Sequence, residues 1–558
     1  MSSQLIKVSD YMADFLYKKS VKNIFMLSGT GSIHLDDAFA HQKGMQHICA
    51  RHEAAAVMMA EASAKLTGNI GVVIATTGPG GTNAMGGIVE AWVDSVPILV
   101  ISGQVFSNQI SPGVRSFGVQ GFNIIENVQN ITKYAVQVSD PQQIRFHLEK
   151  AIYKATTGRP GPVWLDIPFE VQSEKISPDG LEGYTPEHSI VNTNRDKVSA
   201  VIDTLLNSKK PLIAFGQGIR NAGVITEFKQ MLKQLKIPAI TARMGLDILP
   251  YSNPYFFGLG GMRGHRAPAV IMKECDLLIA LGTSFAHPFA GENYDKFNPS
   301  AKLIMVNIDS TEMTKPGLNV DIAIEMDLKQ FISEIIDDPK VSKMNSKYSK
   351  WLKKCEKLKK DLPTVLPSFA GNPINSYYFI ECLNKHSTKN HIFVDDAGSA
   401  NYVCSQGLKL REGQREITSG AFYSMGVALP FAIGAAVTEP EAQVIAITGD
   451  GSIELNIQEL RTMSHNNLNI KLFVINNGGY ASIRKSQDDM VGGRYTDDQE
   501  VLNFSKVSDA FELPFQILED YAELDLKIPE ILSVNGPALI EVVCDPKQAV
   551  IETFETDN

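Results

Sequence analysis

The sequence predicts an α/β protein made of three doubly wound parallel-sheet domains, and three observations carry that reading. Short β-branched-rich runs that end in Gly, Pro or Ser recur along the whole chain. Amphipathic helical stretches such as 52–67 separate them. Two polar interruptions divide the alternation into three series of similar length. Strand–helix alternation of this kind is the mark of parallel sheets with helices on both faces, and 558 residues are too many for one hydrophobic core.

The first series comprises NIFML (23–27), GVVIATTG (71–78), VPILVISG (96–103) and GPVWLDIP (161–168). A polar stretch at 171–195, with Pro178 and Pro186, reads as a linker. The second series is PLIAFGQG (211–218), PAITARMG (238–245), CDLLIALG (275–282) and KLIMVNID (302–309). The second interruption, 337–372, contains a lysine-rich pattern that reads as a surface helix with long charged side chains. HIFVDDAG (391–398), AQVIAITGDG (442–451), NIKLFVINN (469–477) and PALIEVVCD (537–545) form the third series. The expected domains are 1–180, 190–340 and 365–558.

Composition narrows the function classes. Hydrophobic residues make up 44% and charged residues 20%, ordinary for a globular protein. A net charge of −10 without a basic run argues against nucleic acid or an anionic membrane as partner. The six cysteines form no C-x-x-C pair, which points to reduced thiols and a cytoplasmic protein. No long apolar run suggests a membrane span, and the first residues lack a signal-peptide core.

The chemistry concentrates at Gly449-Asp450-Gly451-Ser452, at the end of one expected strand, and Asn476-Asn477-Gly478-Gly479, at the end of the next. One βαβ crossover separates them, so both emerge at carboxyl ends of parallel strands, where doubly wound sheets bind ligands. An Asp carboxylate, an Asn amide oxygen and a backbone carbonyl make a hard-oxygen set suited to Mg²⁺ that also holds diphosphate oxygens. Glycines allow backbone N–H groups and a helix N-terminus to approach phosphate closely.

GDGS followed by NN at this spacing resembles the diphosphate-binding motif of thiamine-diphosphate enzymes. The resemblance covers nearly the whole chain and is closest to the acetolactate synthase branch, shared with benzaldehyde lyase, 2-hydroxyacyl-CoA lyase and oxalyl-CoA decarboxylase. Further segments that carry it are 50–104, TGRPGPVWLDIP (157–168) and GAFYSMGVALPFAIGAA (420–436). It implies a pyrimidine-binding first domain, a central domain and a diphosphate-binding third domain. It implies Asp450, Asn477 and the carbonyl of Gly479 as metal ligands, with Gly449, Gly451, Ser452 and Tyr480 beside the diphosphate.

A glutamate that opens a helix is, taken alone, a helix-dipole partner. The resemblance gives Glu53, in Arg-His-Glu, a different role: bonded to N1′ of the aminopyrimidine, it promotes loss of the thiazolium C2 proton. By the same resemblance Met425 lies under the thiazolium, Pro79 and Asn83 line the pyrimidine pocket, and Gln120 is an active-site glutamine. Thr30 falls on a donor-side loop. Glu53 and the diphosphate clamp belong to different subunits in this family, which implies a homodimer or homotetramer.

The chain also departs from acetolactate synthases. Gly216, Gly218, Met244, Met262 and Gly264 match the central domain that binds FAD there, or ADP in other relatives. Ser284, Ala286, His287 and Pro288 stand where that branch has an arginine, two aspartates and a second arginine. Loss of the first arginine counts against FAD, and loss of the second against a 2-oxo acid acceptor. Ser482 and Ser486 replace a methionine and a tryptophan over the acceptor pocket, leaving it wider and more polar. Arg484 and Lys485 are either a solvated basic pair or the partners of an anionic acceptor.

The expected function is therefore a carboligase that decarboxylates a 2-oxo acid such as pyruvate and transfers the two-carbon unit to an aldehyde or ketone. The alternatives are a genuine acetolactate synthase, a 2-hydroxyacyl-CoA lyase or oxalyl-CoA decarboxylase, and a non-catalytic binding protein on the same fold.

Overall fold

The computed structural model describes all residues except 1–4, 111–112, 187–194, 292, 295–296, 298–299, 345, 497–499 and 554–558. It contains three six-stranded sheets, parallel throughout. In spatial order the first consists of Gln46–Cys49, Asn23–Met26, Gly71–Ala75, Ile98–Gln104, Val163–Pro168 and Tyr134–Gln137. The third runs Arg415–Ile417, His391–Asp395, Gln443–Gly449, Ile470–Asn476, Ala538–Val543 and Phe515–Leu518. Counted along the chain, both have the order 2-1-3-4-6-5. The central sheet runs Phe256–Leu259, Ala239–Thr241, Pro211–Phe215, Leu277–Leu281, Lys302–Asn307 and Ile322–Glu325, the order 3-2-1-4-5-6 of dinucleotide-binding sheets. In each sheet the first strand lies where the order reverses, and ligand crevices form at that point.

The three-domain α/β architecture is the expected one. Central strands are buried along their length, as parallel strands covered on both faces must be. The interruptions differ in part from expectation. Residues 171–195 are not all linker: Lys175–Ile176 pairs antiparallel with Ile6–Lys7, and Phe169–Ser173 is helical. Residues 187–194 lie outside the described residues. The lysine-rich helix, Ser349–Asp361, buries Trp351 and Cys355 against the central domain, and the Trp351 indole donates to the carbonyl of Pro211 at 3.0 Å.

Two helices position the first domain's side of the site. Helix α1, Glu53–Thr67, is rich in alanine and starts where the His52 ring accepts from the Ala54 N–H; it stops at Gly68 in the left-handed conformation. Helix α2, Pro79–Val93, has Pro79 in its first turn behind Gly78, whose φ is 62°.

In the third domain, α3 is Gly398–Gly407, α4 is Ala428–Thr438 and α5 is Ala481–Val491. Helix α4 is buried over nearly all its length and packs on α1, joining the first and third domains. At their crossing a Cβ on Gly434 would sit 2.1 Å from the Met59 carbonyl oxygen, so only glycine fits. Gly87 of α2 approaches α1 in the same way, with the Ala54 carbonyl 2.8 Å from its missing Cβ.

Candidate active site

The expected site residues fall into two groups, each at the carboxyl edge of one outer sheet. In the first group Glu53 opens α1 and is 5% exposed. Its Oε2 accepts from Asn83 Nδ2 at 3.0 Å, and Asn83 sits one turn into α2 beyond Pro79. Oε1 has no hydrogen-bond partner among the described residues, and its near neighbour is Gly80, whose missing Cβ would lie 3.4 Å away. Thus the carboxyl is fixed through one oxygen while the other is left for a ligand nitrogen.

Gln120 is exposed with φ of 64°, and its carbonyl oxygen lies 2.3 Å from where Gly78 would carry a Cβ. The Gln120 loop therefore rests on the turn that starts α2. Thr30 is exposed in the turn Thr30–Ser32; its neighbours Gly29 and Gly31 press on Thr76 and Thr77 at the end of the strand Gly71–Ala75.

The second group surrounds Asp450, which is 3% exposed. Its Oδ1 accepts from the Gly451 N–H at 2.8 Å; Oδ2 accepts from the N–H groups of Asn477 at 3.1 Å and Gly479 at 2.7 Å. One carboxylate thereby ties together the two strand ends that the sequence places one crossover apart. Burial raises its pKa, and the backbone donors oppose that. The Asn477 side chain has no hydrogen-bond partner among the described residues, so its amide oxygen remains for a cation.

Gly478 and Gly479 turn the chain with φ of 79° and 97°. The Tyr480 ring covers Gly451, where a Cβ would meet Cε1 at 2.3 Å. By contrast a Cβ on Gly449 would have only Ser452 nearby, at 3.9 Å, and one on Gly398 nothing within 4 Å. The backbone is bare there, at the switch point between the strands His391–Asp395 and Gln443–Gly449. These donors and this open backbone fit a Mg²⁺–diphosphate group.

Met425 is half-buried just before Gly426, whose missing Cβ would lie 2.8 Å from the Ser452 carbonyl oxygen. The segment that leads to it is pinned by the first domain. Glu90 accepts from the Ser419 hydroxyl and the Ser424 N–H, and Asp94 from the Gly420 N–H. Lys65 bonds Asp94 at 2.9 Å and the Thr418 carbonyl at 2.8 Å, pairs with Glu61 at 2.7 Å, and stands over the Phe431 ring. Burial disfavours its ammonium, but Asp94 and Glu61 outweigh that and raise its pKa. Asp396, fully buried, accepts from the N–H groups of Gly426 and Ala428 and from Thr448, fixing the exit of the same segment.

Sequence reasoning did not single out Gly398 and Ser399 at the start of α3, although DDAGS after a strand is a signal for a bare, anion-facing helix N-terminus. Ser399 Oγ lies 3.3 Å from Ser482 Oγ on α5. Ser486 instead bonds back to the Ser482 carbonyl, and Lys485 pairs with Asp489. Arg484 reaches the carbonyls of Asn477 and Gly478, bracing the loop.

The central sheet's switch point opens into a cleft of about 210 Å³, partly open to solvent. Gly216, Gly218, Met244, Ser284, Ala286 and Pro288 line it, but His287, Met262 and Gly264 do not. Arg159, Arg243 and Arg263, which sequence reasoning did not single out, also face it.

Comparison with known proteins agrees with this geometry. The models for thiamine pyrophosphate enzymes match in all three parts: the N-terminal TPP binding domain at residues 6–133, the central domain at 198–335 and the C-terminal TPP binding domain at 396–542. The chain is 31% identical over 555 residues to the acetolactate synthase large subunit of Lactococcus lactis, covering 97% of this chain and 93% of that protein. It is 32% identical to that of Cyanidium caldarium, covering 97% and 94%. It is 29% identical to the large subunit of acetolactate synthase isozyme 1 of Escherichia coli, again covering 97% and 94%.

Proposed function

The chain belongs to the thiamine pyrophosphate enzyme family and is a thiamine-diphosphate-dependent enzyme of transferase or lyase type, and from that premise we propose that it is a carboligase. It decarboxylates a 2-oxo acid such as pyruvate and transfers the two-carbon unit to an aldehyde or ketone. The observation that carries the reading is the pairing of two intact coenzyme half-sites with an acceptor side that has serines at 482 and 486.

When bound, thiamine diphosphate supplies the electron sink for cleaving and forming bonds next to a carbonyl. The chain's own residues do the rest. Asp450, Asn477 and the Gly479 carbonyl hold Mg²⁺, and Gly449, Gly451 and Ser452 with the start of α3 receive the diphosphate. Tyr480, packed on Gly451, fixes the height of that floor. Glu53 holds a proton at the pyrimidine nitrogen through Oε1 while Asn83 orients Oε2. Pro79 and Asn83 line the pyrimidine pocket, Met425 sets the coenzyme's folded shape, Gln120 is an active-site glutamine and Thr30 stands on the donor side. The two half-sites come from different subunits of a homodimer or dimer of dimers. Support for this is that every hydrogen bond of the Glu53 side chain among the described residues stays within the first domain.

Holoenzyme with pyruvate and Mg²⁺ is expected to release carbon dioxide slowly alone and faster with its acceptor. Absence of release from every 2-oxo acid tried would exclude the proposal. The relatives' names favour a second reading, a genuine acetolactate synthase; accumulation of acetolactate from pyruvate alone would support it. Ser284 and Pro288 in place of the arginines weigh against it and against FAD in the central cleft. The absorption spectrum of the purified protein tests the flavin directly.

A further inference from the structure

We propose that Gln104 is a positioning residue: its buried amide clamps the chain at both ends of the segment that carries Gln120, and so holds Gln120 in the active site. This rests on the reading of Gln120 as an active-site glutamine and deepens it.

Gln104 ends the strand Ile98–Gln104 and is 1% exposed. Its side chain is used at both atoms. Oε1 accepts from the N–H of Val105 at 3.0 Å, where the chain leaves the sheet. Nε2 donates to the carbonyl of Phe122 at 2.7 Å, where the chain returns just before the helix Ile124–Val128. One amide thereby closes the neck of the intervening segment.

The same nitrogen donates to Asp166 Oδ2 at 3.0 Å, on the neighbouring strand Val163–Pro168. Asp166 Oδ1 accepts from the Ser102 hydroxyl at 2.5 Å, and Ser102 Oγ accepts from the Trp164 indole N–H at 2.8 Å. Ser102 stands in register with Asp166, and all four side chains are buried. A carboxylate and an amide in a dry core cost stability that an apolar set of the same shape would not. What this set delivers is orientation. Asp166 and the Phe122 carbonyl both require a donor, so the Gln104 amide fits only one way round.

The hold passes to Gln120 through Val105. The missing Cβ of Gly118 would lie 3.3 Å from Val105 Cγ1, and that of Gly121 3.2 Å from Val105 Cγ2. Val105 therefore bears on the glycines to either side of Gln120. Between them Gln120 takes its φ of 64°, a left-handed conformation that a residue with a side chain keeps only where its surroundings impose it. On the other side the Gln120 carbonyl rests on Gly78, at the start of α2. That helix also carries Asn83, the partner of Glu53, so Gln120 and Glu53 share a support. Packing within the chain adds little, because Phe117 and Val119 beside Gln120 are exposed.

Two variants of the thiamine-diphosphate- and Mg²⁺-loaded enzyme test the clamp. Gln104→Met keeps the length of the side chain and removes every one of its hydrogen bonds. Gln104→Asn keeps the amide but is one methylene too short to span Val105 and Phe122, and it serves if Gln104→Met fails to fold. Trypsin cleavage after the exposed Arg115 reads the segment without any substrate. Either variant is expected to be cut about 10-fold faster than wild type, with an unchanged circular-dichroism spectrum. Carbon dioxide release from pyruvate is expected to fall by about 10- to 100-fold. In a Gln120→Ala background the same substitution is expected to cost little more, because a residue that acts through Gln120 then has nothing left to position. Asp166→Asn, whose amide oxygen still accepts from Gln104, is expected to keep most of the activity.

The inference is overturned if neither variant is cut faster, or if the losses from Gln104 and Gln120 multiply as independent effects do. Wild-type turnover in Gln120→Ala removes the active-site reading of Gln120, and the positioning role falls with it. Absence of carbon dioxide release from every 2-oxo acid tried removes the carboligase reading, and the cleavage rates still decide the clamp.

Discussion

Glu53 shows how little the chemistry demands of one residue once its surroundings are set. Its carboxyl is buried, held at one oxygen by Asn83 and bare at the other. Replacing it by glutamine keeps the shape and the bond to Asn83 but removes the exchangeable acid. Glu53→Gln is therefore expected to bind coenzyme with near-normal affinity and to lose turnover by about 10²- to 10⁴-fold. Coenzyme titration followed by single-turnover kinetics checks both parts; wild-type turnover would contradict the assigned role. The residues that the sequence singled out first, Glu53, Asp450 and Asn477, are those whose type the proposed chemistry restricts. Gln104, Ser399 and Glu90 were not legible. Each acts through a partner hundreds of residues away or on a different element, and no local pattern announces such a meeting.

Among elements, the buried central strands announced themselves through continuous apolar runs. The strands Gln46–Cys49, Tyr134–Gln137 and Phe515–Leu518 did not, because each is a short edge strand with one covered face and a mixed pattern. The strand Lys175–Ile176 was hidden in a polar stretch because its pairing partner lies at the other end of the domain. Helix α1 is the element on which most depends, and Lys65 is its main tie to the third domain. Lys65→Met would strand Glu61, Glu90 and Asp94 together in a dry crossing. It is expected to cost about 3–5 kcal/mol of stability, seen as an earlier urea transition by circular dichroism. A transition at the wild-type concentration would show that the cluster carries no net stabilisation.

At the scale of the whole molecule, the first and third domains are bound tightly within one chain, yet their catalytic edges are proposed to serve different copies. Coexpression of Glu53→Gln with Asp450→Ala tests this without any structure of the assembly. In a mixed dimer one site inherits both defects and the other inherits neither, so statistical pairing should restore about a quarter of the wild-type sites. Sites completed within a single chain would give no recovery. The described residues contain no helix long and apolar enough to cross a membrane.

The fit of Gly434 against Met59 bears on how substrates get in. Two helix backbones in direct contact, with no side chain between them, have no slack to slide or hinge, because close-packed interiors shift between discrete arrangements and do not stretch. The first and third domains of one chain should accordingly travel as a single rigid block through the catalytic cycle. Breathing that admits substrate and releases product is then left to the surface segments 113–122 and 480–496. Catalytic turnover in this protein would be paced by its edges while its centre stays still.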